Sequence, residues 1–400
     1  MSDKKNIFPE EIELSEIVLN KTNHAFEMIK KEDIGYMHKS NRKGGQFIKK
    51  QAAVIAGICI LAASSISAAA AIHHYWGRGM NGNLQASDTK QRELAENGIA
   101  KVYREDPDYP SLAVTDHGIT VAPDTVIVDD RFAYMSFSVS GYNVADGEEP
   151  GFYMVDVYQG DNPEDGSSRV NMYGGSMYNG IIPDENGSPV YEDGSPLEYY
   201  EDGSIIRHYI DSNGDMEYII QVGIVDQNDS LLGKTMHVEL KDLGTYSYVI
   251  VSEHRKVEFI TKAEGNWNFE IILPSVSSAK DIKVGQEIEG TGFAMESISI
   301  SPISMKANYS VIEVPERRED ELGIPLVQGV ILKDGTRLPY LTDGGGTGYT
   351  DSTKSNAYHM AGYDRVIDVD EVAALIVLTS YENDKVEIPI SVEPSGFDDK

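Results

Sequence analysis

The residues that come nearest to catalytic chemistry are a serine and a lysine in the segment SSAK. Ser277 and Lys280 have the spacing of a nucleophilic Ser–Lys pair, in which the amine removes the proton of the hydroxyl. The pair lies in a predicted break between two groups of strands, residues 274–286, and no recognisable partner residues accompany it. We therefore interpret the segment as a connection and predict that the chain is not an enzyme.

Two glycine-containing segments resemble phosphate-binding loops without meeting their requirements. In NDSLLGKT, residues 228–235, Asn228 stands where the first glycine of a phosphate loop is needed, and the predicted context is strand to strand. In DGGGTG, residues 343–348, the glycines follow a predicted strand but do not open a helix. We expect a turn at the first segment and a loop at the second.

The segment DSNGD partly resembles a calcium loop, with Asp211, Asn213 and Asp215 as the candidate ligands. It lacks the bidentate glutamate that should follow seven residues on. The segment belongs to an acidic, tyrosine-rich stretch, residues 141–220, which is either an insertion of acidic hairpins or a calcium or ligand face. The histidines of the C-terminal part lack close metal-ligand spacing, and no cofactor is predicted; they are His117, His208, His237, His254 and His359.

An apolar run predicts that the chain is anchored in a membrane. Ala52 to Ile72 carries no charged residue and, at about 1.5 Å per residue, forms a helix about 31 Å long, close to the thickness of a bilayer core. We predict a transmembrane helix over residues 51–74. The residues taken to mark its length are Ala52, Ile55, Ile58, Leu61, Ile66 and Ile72.

Basic residues on one side of this run set its direction, because the positive flank of a span stays in the cytoplasm. They are Lys39, Arg42, Lys43, Lys49 and Lys50. The prediction is therefore a cell-membrane protein with a cytoplasmic N-terminus and an extracellular C-terminal bulk. The rival interpretation is cleavage after the small residues Ala69 and Ala71, but the segment before the apolar run is long for a secretory signal.

The charge of the chain is divided sharply along its length. Residues 1–50 hold ten Lys and Arg against eight Asp and Glu, whereas residues 77–400 hold 24 against 57. The formal net charge of −31 argues against nucleic acid as a partner. The one cysteine, Cys59, lies in the apolar run, so the predicted exported part has no disulfides.

The segment 1–50 is predicted to be cytoplasmic and to contain one amphipathic helix between Pro9 and Glu32. Its apolar stripe is formed by Leu14, Val18, Ala25, Met28 and Ile29. About 22 residues cannot bury such a stripe alone. It therefore packs on a partner protein or lies on the membrane surface, or the segment is a weakly ordered tail.

The exported part is predicted to be mainly β, with two immunoglobulin-like sandwiches. A stalk at 75–112 contains a short helix between Ser87 and Gly98, and a first sandwich, 113–276, holds the acidic insertion. A second sandwich covers 283–395. Alternation predicts strands at 118–128, 131–141, 152–158, 216–225, 235–241, 246–252, 256–262 and 267–273. A second set occupies the segments 297–314, 326–342, with a hairpin turn at Asp334-Gly335, and 370–392.

Several of these segments together resemble a family of single-pass membrane proteins of Gram-positive bacteria. The matching segments are the charged linker and span at 39–72, GITV…DDRFAYMSFSV at 118–139, LLGKTMHVEL at 231–240, GNWNFEI at 265–271, LKDGT at 332–336 and VIDVDEVAALIV at 366–377. The family carries an extracytoplasmic domain of unknown function, is encoded next to sigma factors and is treated as anti-sigma factors. The resemblance implies an extracytoplasmic β-rich sensor or scaffold, with an unknown ligand, and a cytoplasmic segment for a sigma factor.

Overall fold

The computed structural model describes residues 88–103, 111–160, 170, 172–183, 188–224, 229–251, 254–313, 321–350, 352–380 and 384–391. The predicted cytoplasmic helix, its basic flank and the predicted span lie outside these residues. Among the described residues, no helix is long and apolar enough to cross a membrane. The described chain is mainly β, as predicted, and forms several antiparallel sheets.

The first half of the described chain, which we call unit 1, contains one helix and eleven strands. They are α1 Asp88–Glu96, β1 Ala100–Val102, β2 Val114–Asp116, β3 Ile119–Val128, β4 Phe132–Ser140, β5 Glu149–Gln159, β6 Met172–Met177, β7 Ile181–Pro183, β8 Pro189–Tyr191, β9 Met216–Gly223, β10 Thr235–Val251 and β11 His254–Ile272. One sheet has the order β1-β3-β4-β9-β6 with β2 beside β3, another the order β11-β10-β5, and β7 pairs with β8.

The two larger sheets of unit 1 share one core because their strands alternate as the sequence indicates. Met135, Phe137 and Val139 point inward from β4, and Trp267 and Phe269 point inward from β11. The Trp267 indole donates a hydrogen bond from Nε1 to the Ile119 carbonyl oxygen at 3.1 Å. The turn predicted at Asp129-Asp130 is confirmed between β3 and β4.

The second half, unit 2, contains nine strands and a short 3₁₀ helix. They are β12 Lys280–Ile288, β13 Phe293–Ile300, β14 Ser304–Val311, β15 Glu321–Leu332, β16 Arg337–Leu338, β17 Thr342–Tyr349, β18 Asn356–Tyr363, the 3₁₀ helix Val369–Glu371, β19 Val372–Ser380 and β20 Lys385–Pro389. One sheet has the order β12-β13-β14-β18-β17 and the other the order β16-β15-β19-β20. Both sheets contribute to a core separate from that of unit 1.

Four predicted strands are in fact two long strands. The pairs predicted at 235–241 and 246–252, and at 256–262 and 267–273, are each one strand, β10 and β11. The register of the β10–β11 pairing shifts between Lys241 and Leu243 and again between Leu243 and Gly244, so the alternation breaks although the strands continue. The third strand β5 pairs with β10 only as far as Tyr246, and the β10–β11 hairpin beyond it, residues 247–258, is called the hairpin arm.

Four other predictions also change. The predicted break at 274–286 contains most of β12, and the glycine-rich segment 343–348, predicted to be a loop, is part of the edge strand β17. The predicted insertion 141–220 includes the sheet strands β5, β6 and most of β9. The helix predicted in the stalk is present as α1, but the residues that follow it pair with β3 and do not stand free of the fold.

Candidate functional site: the junction between the units

Asp129 lies in the turn between β3 and β4, where its carboxylate organises the turn locally. Its Oδ1 accepts hydrogen bonds from the backbone N–H groups of Arg131 and Phe132, both at 2.7 Å. The Asp129 N–H itself donates to the Phe132 carbonyl at 2.9 Å, which closes the turn. Aspartate is a favourable residue here because its short side chain can bond the backbone two residues on.

The other oxygen of Asp129 bonds unit 2. Ser301, in the turn between β13 and β14, and Ser304, the first residue of β14, both donate from their hydroxyls to Oδ2. The Ser301 Oγ in turn accepts from the backbone N–H groups of Ile303 at 3.1 Å and Ser304 at 2.9 Å, which fixes the hydroxyl position. We call Asp129, Ser301 and Ser304 the carboxylate tie.

All three side chains of the carboxylate tie are at least 96% buried. Burial raises the pKa of the Asp129 carboxyl above its ordinary value, and the four hydrogen bonds act in the opposite direction. A buried carboxylate with four donors is satisfied, whereas the same carboxylate without the serines would be left with two buried acceptor sites unpaired. The tie therefore resists separation of the units, because opening it is costly unless water enters.

A second polar contact joins the units beside the carboxylate tie. The Tyr134 hydroxyl on β4 donates to the backbone carbonyl of Tyr363, and it accepts from Gln221 Nε2 on β9 at 2.5 Å. Gly362 permits this approach, because a Cβ at that position would lie 2.3 Å from Gln221 Nε2. The glycine in β18 thus leaves room for the side chains of Gln221 and Tyr134 at the contact between the units.

Apolar side chains complete the junction. They form one buried cluster to which both units and the residues around α1 contribute: Leu94, Ile99, Ala100, Ile127, Phe132, Ile303, Met360 and Val366. We call this set the junction cluster. The first described element, α1, thus packs through Leu94 in a cluster with strands of its own unit and with residues of unit 2.

In the calcium candidate DSNGD, the oxygens of Asp211 already accept hydrogen bonds within the turn itself. Asp211 Oδ1 accepts from the N–H groups of Asn213 at 2.8 Å and Asp215 at 2.9 Å, and Oδ2 accepts from Asn213 Nδ2 at 3.2 Å. The carboxylate therefore serves an Asx turn. Among the residues that the structure describes, no group of three or more His, Cys, Asp or Glu could hold a metal ion.

The acidic stretch around this turn packs on its own tyrosines. The Tyr191 hydroxyl donates to the Ile206 carbonyl at 2.8 Å and accepts from the Glu198 N–H at 3.0 Å, and its ring stacks on His208. Turns at Asp193 and Asp202 repeat the hydrogen-bond pattern that holds the Asp211 turn. This geometry favours the interpretation as acidic hairpins over that of a ligand face.

The other sequence candidates are not brought together. Lys280 forms an ion pair with Asp370, and Ser277 accepts from the Ala279 N–H, so the two do not form a nucleophilic pair. The histidines of units 1 and 2 are dispersed, and His359 is buried in the core of unit 2. The predicted span, basic flank and partner-helix residues lie outside the described chain.

The sequence did not indicate the junction as a site. It predicted Asp129 as a turn residue and placed Ser301 and Ser304 within the strand segment 297–314 without marking a turn there. In the structure Pro302, between the two serines, lies in the turn from β13 to β14. A proline flanked by serines is a signal for a turn, but it does not identify a partner 172 residues away.

No protein-family profile matches the chain. No curated protein matches it either. Among solved structures, the conserved domain protein from Bacillus anthracis is 16% identical, with a TM-score of 0.37, over 70% of this chain and 79% of that one. The CupB6 tip adhesin from Pseudomonas aeruginosa is 12% identical, with a TM-score of 0.15, over 69% of this chain and 88% of that one.

Proposed function

We propose that the chain is a single-pass, membrane-anchored surface protein that regulates the response to an envelope signal and is not an enzyme. Its two extracytoplasmic units are immunoglobulin-like sandwiches that sense or carry an unknown ligand. The helix at residues 10–31 binds a sigma factor on the cytoplasmic side, as in an anti-sigma factor. The lipid bilayer is its other partner.

One observation carries this proposal beyond the charge pattern of the sequence. The first described element after the predicted span, α1, ends in the junction cluster, with residues of both units around it. A change in the relation of the two units therefore acts on the part of the chain nearest to the membrane. A sensor needs such a connection, whereas a passive surface module can be joined to its anchor anywhere.

Co-purification tests the cytoplasmic part. A tag at the N-terminus should recover a sigma factor from membranes of the native host, and Leu14→Asp with Val18→Asp should abolish recovery because both changes charge the apolar stripe. Asn23→Asp is the matched control, since on a helix it faces away from Leu14. Failure to recover a sigma factor, with unchanged transcription in the double variant, contradicts the proposal.

A second candidate is a surface binding module with an inert cytoplasmic tail. It is favoured by exposed apolar side chains around the base of the hairpin arm: Tyr153, Met154, Val257 and Ile260. Such side chains suit contact with another molecule on the cell surface. Deletion of residues 2–33 discriminates between the two candidates, because this module would keep its phenotype whereas the regulator would lose it.

A further inference from the structure

The helix α1 is too short to be stable by itself. It has nine residues, and isolated helices of fewer than about 12 residues are marginal in water. Within residues 92–96 the buried side chain is Leu94, which is 1% exposed, while Arg92 and Glu96 lie at the surface. The helix therefore depends on the site in which Leu94 is buried.

That site is built by both units. Ile127 and Phe132 come from β3 and β4 of unit 1, whereas Ile303, Met360 and Val366 come from unit 2. Removing unit 2 would take away three apolar members of the cluster and would expose Leu94 on that side. The apolar contribution that orders α1 is thus available in full only while the units are together.

The chain is held firmly on one side of α1. After Gly98, whose φ of 71° ends the helix, Ala100 pairs with Ile127 of β3, and the Val128 N–H donates to the Ile99 carbonyl at 3.2 Å. Motion of α1 is therefore limited to a swing about residues 97–99. On its other side the chain leads towards the predicted span.

We propose that α1 is a release element: it stays docked while the carboxylate tie and the Tyr134–Tyr363 contact hold the units together, and it undocks when they separate. A ligand or a mechanical force that opens the junction would then free the segment between the units and the membrane. This last step rests on the proposed function, but the coupling itself belongs to the described fold.

Hydrogen exchange on the purified full chain in detergent tests the coupling. The reporters are the N–H groups of Asn97, Gly98 and Ile99, which donate to carbonyls of α1 at 2.9 to 3.0 Å. Ser301→Ala with Ser304→Ala removes both hydroxyls of the tie and should speed exchange of these reporters at least fivefold, the lower end of ordinary coupling between sites. Unchanged exchange overturns the proposal.

The matched control is Ser297→Ala with Ser310→Ala, which removes two hydroxyls from β13 and β14 whose partners, Asn308 and Glu296, lie in those same strands. It should leave the reporters as in the wild type, and faster exchange in the control overturns the proposal. If hydrogen exchange in β19 accelerates as much as at the reporters in Ser301→Ala with Ser304→Ala, those substitutions have loosened unit 2 itself.

In that case Tyr134→Phe tests the coupling, because it removes one hydroxyl and keeps the ring. It should speed exchange of the reporters but not of β19.

Coupling must also act in reverse, since linkage between two sites is reciprocal. Leu94→Ala should speed exchange at the Ile303 and Ser304 N–H groups, which bond Ser301 Oγ. If these groups exchange as in the wild type, α1 does not sense the junction and the proposal is wrong. Neither measurement involves a sigma factor or membrane insertion, so its failure is distinct from failure of the proposed function.

Discussion

His359 lies in the core of unit 2, where its ring serves as a hydrogen-bond acceptor. The Val327 N–H of β15 donates to Nδ1 at 3.0 Å, so the neutral ring carries its proton on Nε2. Burial lowers the pKa of His359 to about 4 from an ordinary value of 6.5. The ring is therefore neutral in the folded state over a pH range in which it is protonated in the unfolded chain.

The free energy of unfolding should consequently depend on this residue. Above pH 6.5 the ring is neutral in both states, and as the pH falls from 6.5 towards 4 the unfolded state binds the proton first and folding is weakened. The shift in pKa of His359 corresponds to roughly 3 kcal/mol over that window. His359→Asn keeps an acceptor near the position of Nδ1 and cannot be protonated.

Urea unfolding at pH 7 and pH 4 checks this expectation. The variant should be the less stable protein at pH 7 and should lose about 3 kcal/mol less than the wild type on acidification. His117→Asn is the control, because His117 is exposed and has a φ of 48°, which asparagine tolerates. Equal loss in the wild type and His359→Asn would contradict the expectation.

At the scale of single elements, two glycines of β15 differ in what surrounds them. A Cβ on Gly329 would lie 2.0 Å from the Leu338 carbonyl oxygen, whereas a Cβ on Gly323 would meet none of the described residues within 4 Å. Gly329 thus permits the close pairing of β15 with β16. Gly323 lies in the same strand without such a contact.

Gly329→Ala should lower the free energy of unfolding by about 1–3 kcal/mol or more, because the backbone of β16 must move to make room. Gly323→Ala should leave stability unchanged or raise it by about 0.4–1 kcal/mol, since alanine restricts the unfolded chain. Chemical denaturation of both variants measures the difference. Similar effects of the two substitutions would show that the close approach to Leu338 is not what Gly329 provides.

Among the described strands, none pairs with the hairpin arm as a third strand. The last pair between β10 and β5 is Tyr246 with Glu149, and β10 pairs with β11 for five further residues. Val257 and Ile260 are half exposed, and Leu243 is the last residue of β10 in the core of unit 1 among those whose burial the structure describes. Because the described end of the arm, Val257 and Glu258, is exposed, we expect the arm to contribute little to the core of unit 1.

Replacing residues 247–258 by Asn-Gly should leave the fold intact, because Tyr246 and Phe259 already face each other and a two-residue turn joins such a pair. We expect a melting temperature within about 2 °C of the wild type, measured by calorimetry. As control, the same turn placed between Leu240 and Trp267 would remove core pairs and should unfold unit 1. Unfolding by the arm deletion itself would show that the arm supports the sheet.

These elements also show where sequence patterns succeed and fail. Alternation found β4 because its inward residues are all apolar, and it found β19 through a β-branched run. It failed at β17, whose four glycines carry no alternation, and it divided β10 and β11 at bulges, where the period of two is lost. Side-chain patterns thus predict strands only where side chains carry the packing.

At the scale of the whole molecule, the sequence predicted a mainly β exported part in two parts, because each part repeats short strands and turns. It could not predict the junction. The carboxylate tie joins residues about 172 positions apart, and a single aspartate and two serines leave no periodic signal. Such a contact depends on how the folded units fit together. Its residues lie at the ends of strands, where the sequence looks like that of any other turn.

The remaining alternative for the acidic stretch, residues 141–220, is a calcium site. A test of this site must allow for the negative charge of the whole molecule. Any divalent cation should stabilise a chain with a net charge of −31 by reducing self-repulsion, whether or not it has a site. A calcium site would add a stabilisation specific to calcium. For a dissociation constant of about 0.1 mM and about 5 mM calcium, that addition is roughly 2 kcal/mol.

We expect calcium and magnesium at equal concentration to raise the melting temperature equally, within about 1 °C. The reason is that the Asp211 oxygens already accept three hydrogen bonds within the turn. Asp211→Asn keeps an acceptor oxygen for that turn, and Asp202→Asn is its control in the similar turn nine residues earlier, where Asp202 accepts from Ser204. A larger rise with calcium that disappears in Asp211→Asn but persists in Asp202→Asn would instead establish DSNGD as a calcium loop, since only loss of a ligand separates the two variants.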